Sequence, residues 1–348
     1  MFPDGGYAVN DDYGEISHWE PFQQAYLEWI KESYSSPWSD EARQHIAFLM
    51  GLGSHGLADQ SFDAMYFRRA YQYDADGNWS ESLDTATDVA FIAETGAQPI
   101  PEKWIPMEAM LDIYGEQNYA VSADTISQGQ SLLGVAIFWV GNAAEDEEIL
   151  TEQRSYYPWA TANLLQEQYP GSPPTEVDII AAYWQVLWAQ LHDDEITAPV
   201  MYAYPPADTF NYPRDKEDIE SHLSVVFAKG IETSSLSEEV FSVEAADGLA
   251  HPIGVDVFYG ANSHVVNIVP LEDWKEDTDY QLIVTKDLPF RDGTTLDMDW
   301  SHSFSTKKEV LPAPNHREKR GCQATQSRRL LPLIMLGLSI AGLRRRYD

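Results

Sequence analysis

Two periodicities divide the chain. At Ser39 the sequence SDEARQHIAFLMGL opens as helices do: Ser39 can cap, acidic residues fill the first turn, and an apolar run follows. A second start at Pro174-Thr175-Glu176 leads into VDIIAAYWQVLWAQLH, long and apolar enough for a core helix. The stretch PVMYAYPPADTFNYPRD then accumulates proline and ends the pattern, so residues 1–212 are expected to form a helical domain. From about Ile219 the period shortens to two. GVDVFY, HVVNIVP, YQLIVT and SHSFST are short alternating or β-branched runs separated by turn residues, the spacing of a β-sandwich over residues 216–307. The fold class expected is multidomain: an all-α domain, an all-β sandwich, a linker over 308–327 and a short hydrophobic segment over 328–348.

The apolar stretch AFLMGLGSHGLADQSFDAMYF is interrupted by His55, Asp59 and Asp63. On a continuous helix these fall at i, i+4 and i+8 and project from nearly one stripe. Burying two carboxylates side by side is unfavourable unless a cation or hydrogen-bond donors compensate. No Lys or Arg lies between Arg43 and Arg68. The alternative is an exposed polar face, against which the apolar flanks FLMGLG and AMYF count. Further candidates of the same chemistry are Asp4 in FPDGGY, His18 in SHWEPF, and Asp84 and Asp88 in LDTATDVAF.

Composition sharpens this. The 348 residues are 44% hydrophobic with 11 Trp, enough for a large core and more than one domain. Net charge is −34, and ten of the 22 basic residues lie after Thr306: residues 1–306 hold 12 positive and 53 negative side chains. Such a body repels phosphate backbones, which argues against nucleic acid as a partner and suits metal cations. A single cysteine, Cys322, excludes an internal disulfide. There is no phosphate-binding glycine loop and no nucleophile elbow. Asp74-Ala-Asp76-Gly77-Asn78 lacks the terminal glutamate of a calcium loop and reads as a turn, His45 as a structural histidine, and Asp193, Asp194 and Glu195 as a solvated helix end.

The words FPDGGY, HWEPF, SSPWSDEA, AFLMGLGSHGLADQSF and DTATDVAF, in this order over residues 2–115, resemble the zinc-dependent phospholipase C family, in the branch that contains glycosylphosphatidylinositol-specific phospholipase D. The resemblance implies an all-α domain holding three metals and phosphoester hydrolysis of a phospholipid or glycolipid. One family site is built from Asp, His, His and Asp, which here are Asp4, His18, His55 and Asp59, with Asp4 also the implied general base. A neighbouring family site uses two histidines and an acid where this chain has Asp63, Ser80 and Asp84. Losing imidazole there favours a harder ion such as Ca, Mg or Mn over Zn. The third family site uses ligands that would precede Met1. The same departures support a rival expectation, a catalytically inactive surface or adhesion protein that keeps the helical scaffold.

The second domain, from VVFAKGIETSSLSEEVFSV to the closing FST, resembles bacterial Ig-like domains of surface proteins. Beyond it, KRGCQATQSRR precedes LLPLIMLGLSIAGL and three arginines. Those fourteen residues reach about 21 Å as a helix, short of the ~30 Å hydrocarbon core. The order of spacer, Gly-Cys, short apolar run and arginines resembles MYXO-CTERM sorting tails. That resemblance implies membrane attachment through the tail, a sorting protease acting near Cys322, and retention at the cell surface or outer membrane. A plain C-terminal anchor is the alternative. Export would require a signal peptide upstream of Met1, with the true start lying earlier.

Overall fold

The computed structural model describes residues 2–75, 82–98, 103–257 and 264–308. Helices come first in the chain: α1 (Asp4–Val9), α2 (Tyr13–His18), α3 (Glu20–Ser33), α4 (Asp40–Ser61), a π turn (Phe62–Phe67), α5 (Arg68–Asp74) and α6 (Ser82–Thr95). There follow α7 (Met107–Glu116), α8 (Ala123–Glu145), α9 (Glu147–Tyr156), α10 (Pro158–Asn163) and α11 (Pro173–Leu191). Starts are fixed chemically. Ser39 Oγ accepts the Ala42 amide at 3.1 Å, and Ser122 Oγ accepts that of Thr125 at 3.0 Å, each satisfying a first-turn donor. Helices α3, α4 and α11 bury Leu27, Ile30, Leu49, Leu52, Ile179, Tyr183 and Leu187 in one core.

The β region forms two four-stranded antiparallel sheets among the described residues. One holds β1 (Val200–Tyr204), β2 (Leu223–Phe227), β5 (Ile253–Val257) and β6 (Val265–Pro270), in the order β1-β2-β6-β5. The other holds β3 (Phe241–Ala245), β4 (Ala250–His251), β7 (Asp279–Val284) and β8 (Trp300–Ser305), in the order β4-β3-β7-β8. Alternation places Val243, Leu282 and Phe304 of one sheet and Phe227, Val225 and Val266 of the other in a shared core around Trp274. The helical region followed by a β region matches the order expected. Strand β1 departs from expectation: it falls inside the proline-rich stretch assigned to the end of the helical pattern. Val200–Tyr204 pairs with Ser224–Phe227, so an added sheet partner outweighs the local turn signal.

The first sheet docks on the helices rather than standing off. Val226, Ala228 and Val265 join the helical core. Glu20 Oε1 accepts the Gly230 amide at 3.0 Å, Gln60 Oε1 the His264 amide at 2.6 Å, and Asn267 Nδ2 donates to the Ala64 carbonyl at 3.1 Å. Buried Arg69 pairs with Glu220 at 3.0 Å. Among the described residues, no helix is long and apolar enough to cross a membrane. Ser80, Cys322 and the hydrophobic tail lie outside them.

Candidate metal centre

Two short approaches of backbone create the site. A Cβ on Gly56 of α4 would stand 2.1 Å from the His18 carbonyl, and one on Gly6 of α1 2.2 Å from the Gly14 amide of α2. Only glycine permits contact this close, and it draws the start of α1, the end of α2 and the middle of α4 together. Asp4, His18 and His55 each then offer a ligand atom, all within 4.8 Å of one another. His55 Nε2 lies 3.1 Å from Asp4 Oδ1, and the His18 and His55 rings sit 4.6 Å apart at 40°. Asp59, one turn beyond His55, places Oδ2 3.2 Å from His18 Nε2.

The donor set fits a divalent cation. Asp4 and His18 are each 2% exposed. Neither nitrogen of His18 sits in hydrogen-bond geometry with a protein acceptor, the Asp59 contact being one of proximity rather than alignment. Two imidazoles and a carboxylate oxygen, buried and convergent, are a zinc-type set. Burial depresses the His55 imidazole against the pull of Asp4, so His55 is the neutral base that a metal requires. Burial also raises the Asp4 carboxyl, but the adjacent His55 overrides it and holds the group at about 2.

The other sequence candidates do not join this convergent triad. Asp63 is 3% exposed but stands on the π turn, not on a continued α-helix. The backbone hydrogen-bond step lengthens at Phe62, so the expected i, i+4, i+8 stripe is interrupted at its last member. On α6, Asp88 is half-buried with Oδ2 closed off from solvent and without a hydrogen-bond partner. Burial, then the charges of Asp84, Asp4 and Asp59, push its carboxyl well above the ordinary carboxylate range. Asp84 is half-buried beside it. His45 lies elsewhere, bonded to Tyr26 Oη at 2.8 Å in an aromatic cluster. Asp74 accepts the Trp159 and Ala160 amides at the start of α10, a capping role, while Asp76, Gly77 and Asn78 lie outside the described residues.

One buried carboxylate lay outside what the sequence marked. Glu176, read as a first-turn helix acid, is 0% exposed and directed inward. The signal was available: Glu176, Ile179, Ile180, Tyr183 and Leu187 share the buried face of α11, so the glutamate occupies a core position in the helical repeat.

Known proteins give this geometry a context. The likeness is to phosphatidylinositol-glycan-specific phospholipase D. The Homo sapiens protein of that name is 31% identical over 112 residues, 30% of this chain and 13% of its own length. That from Mus musculus is 30% identical over 125 residues, and that from Dictyostelium discoideum 26% over 130. The chain thus matches only 13 to 16% of the length of these curated relatives. No protein-family profile matches it. Among solved structures, the N-terminal part of the bacterial S-layer protein SbsC overlays 82% of the chain at 12% identity and a TM-score of 0.26. CopC from Methylosinus trichosporium OB3b overlays 33% at 16% identity and 0.24, and neither overlay bears on the fold or the site.

Proposed function

We propose that this chain is a metal-dependent phosphodiester hydrolase of phospholipase type, acting on a phospholipid or lipid-linked phosphate. The observation that carries the reading is the buried convergence of Asp4, His18 and His55, in a chain similar to phosphatidylinositol-glycan-specific phospholipase D. His18, His55, Asp4 and Asp59 would hold the ion, with zinc favoured by the imidazoles. When bound, a divalent cation supplies Lewis-acid polarisation of a phosphoryl oxygen and makes water more acidic. The protein's own groups then have distinct tasks. His55 keeps a neutral nitrogen available, Asp59 sets a carboxylate beside His18, and Asp4, held ionised, can accept a proton as well as ligate.

A lipid substrate is supported by α8. The chain carries no charged residue from Thr125 to Ala144, and this helix exposes Leu132, Val135, Phe138 and Trp139 while packing against α1, which bears Asp4. In a protein of net charge −34, an uncharged aromatic face is where an anionic bilayer is repelled least. The two β-sheets are read as an Ig-like presentation module, and the segment beyond residue 308 as the linker and MYXO-CTERM-like tail of an exported, surface-retained protein.

The test is to purify the chain, dialyse it, measure zinc by mass spectrometry, and assay hydrolysis of bis(4-nitrophenyl) phosphate and phosphatidylinositol vesicles. Retained zinc with turnover is expected; a folded protein with neither rejects the proposal. The second reading, an inactive surface scaffold, is favoured by Asp63 standing where the resembled family places histidine. It predicts zinc without turnover.

A further inference from the structure

Two of the hydrogen bonds that dock the first sheet on the helices fall beside residues read as metal ligands. Glu20, whose Oε1 accepts the Gly230 amide at 3.0 Å, is two positions beyond His18; Gln60, whose Oε1 accepts the His264 amide at 2.6 Å, follows Asp59 directly. Glu20, Gln60 and His264 are all buried, and His264 Nε2 stands 3.8 Å from the same Glu20 oxygen, so the two contacts form one cluster. It continues inward to His18. The Tyr183 ring meets His264 edge-on at 5.5 Å, Tyr183 Oη donates to Gln23 Oε1 at 3.1 Å, and Gln23 Nε2 donates to the His18 carbonyl at 2.9 Å.

Helix geometry explains why these two ligands need outside support. His55 lies inside α4, where the backbone ladder holds it from both sides, and Asp4 lies on α1, which packs against α8. His18 is instead the last residue of the short α2, and Asp59 stands two residues before α4 gives way to the π turn. Helix ends leave carbonyls without helical partners and fray unless something else fixes them. The donors on the sheet side are firmly placed. The Phe227 amide bonds the His264 carbonyl at 2.9 Å, His264 Nδ1 lies 2.9 Å from the Phe227 carbonyl, and the Arg291 amide holds the Gly230 carbonyl at 2.9 Å. A Cβ on Gly230 would stand 2.0 Å from Glu20 Oε2, so glycine lets this loop rest directly on the carboxylate.

We propose that the β region is a working part of the metal centre: Glu20 and Gln60, braced by the amides of Gly230 and His264, are positioning residues for His18 and Asp59. The assignment rests on the metal-centre reading above, but its test reads the metal rather than turnover. Zinc affinity of the full chain is measured by competition with a chromophoric chelator, and the visible absorption of the Co²⁺-loaded chain reports ligand geometry. Glu20→Ala and Gln60→Ala should each weaken zinc binding about 10-fold and shift the Co²⁺ bands at saturation. Glu20→Gln removes the charge but keeps the acceptor, so it should recover most of what Glu20→Ala loses. Gly230→Ala, a change wholly on the β side, should weaken zinc in the same sense by displacing the Glu20 carboxylate. Asn267→Leu unties the same docking at Ala64, next to none of the four ligand residues, and is the control: zinc affinity and Co²⁺ bands should stay at wild type. Unchanged zinc affinity in Gln60→Ala and Gly230→Ala, or an equal loss in Asn267→Leu, overturns the proposal and leaves the metal site standing. A folded wild type that binds neither ion rejects the metal-centre reading and this assignment with it. If Gln60→Ala fails to fold by circular dichroism, Glu20→Ala against Glu20→Gln decides by the same criterion.

Discussion

His55 Nε2 and Asp4 Oδ1 lie 3.1 Å apart although 51 residues separate them in the chain. The pair ties α4 to the start of α1 and supplies two of the three convergent ligand atoms. Replacing His55 with Ala removes a ligand itself rather than an outer partner. Zinc affinity is expected to fall by more than the ~10–100-fold typical of outer-shell loss, and hydrolysis with it. Metal analysis and the soluble phosphodiester assay check this; His55→Ala with zinc and turnover intact would remove the triad from the mechanism.

The close approach at Gly56 predicts a structural cost. Ala at this position would place a methyl 2.1 Å from the His18 carbonyl and 2.6 Å from Gln23 Nε2, and the former is backbone with little room to move. Overpacking of this kind costs about 1–3 kcal/mol. Gly56→Ala should lower the denaturant midpoint accordingly and weaken zinc binding through displacement of His18. Gly51→Ala, where nothing lies within 4 Å, is the matched control: it should leave zinc binding unchanged and, through helix propensity, raise the midpoint rather than lower it.

These two residues also show what was legible in the chain. His55 and Asp59 announce themselves because charged groups inside an apolar run demand a reason, and Ser39 because capping chemistry is local. Glu176 did not, since an acid in the first turn of a helix is the ordinary pattern and its burial depends on where α11 docks. The π turn at Phe62–Phe67 carries no periodic signature of its own, so the shift of Asp63 out of the row followed only from the fold. Alternation identified β5 to β8, whereas β1 was hidden by prolines that tertiary pairing overrides. Docking of the first sheet on the helices runs through the polar residues Glu20, Gln60 and Asn267, which no hydrophobic pattern marks.

Asn267 gives that docking a measurable weight. Its Nδ2 donates to the Ala64 carbonyl within the π turn, and its Oδ1 accepts from Ser224 Oγ at 2.7 Å. Asn267→Leu strands both buried groups, at a cost of about 1–3 kcal/mol each. Urea unfolding should show the loss; a midpoint equal to wild type would mean that the sheet is held by apolar contact alone.

Acid sensitivity should arise from His222. Burial, reinforced by Arg69 and Arg68, presses its imidazole down to about 4, while the unfolded chain titrates near 6.5. Between these values the unfolded state binds the extra proton, so stability is fully present above pH 6.5 and is lost as pH falls toward 4. Unfolding followed in EDTA, which removes metal release as a contributor, should show a smaller drop between pH 7.5 and 5 in His222→Gln than in wild type. Parallel curves would assign the acid sensitivity to other groups.

The outward face of α8 should govern contact with lipid. Phe138 and Trp139 are 71% and 52% exposed on a helix whose other face is fixed against α1 and α6, so they can enter an interface without unfolding. Burying an exposed aromatic side chain in an apolar medium is worth about 1.5–3 kcal/mol, and partial entry into a headgroup layer realises a fraction of that. The double variant Phe138→Ser, Trp139→Ser is therefore expected to partition onto phosphatidylcholine vesicles at least ~10-fold more weakly in a flotation assay, with zinc content unchanged. Raising salt should strengthen wild-type binding to anionic vesicles, because screening relieves repulsion by a body of net charge −34 while leaving apolar entry intact. Binding that weakens with salt, or that ignores the double substitution, would mean that α8 is not the face the membrane meets.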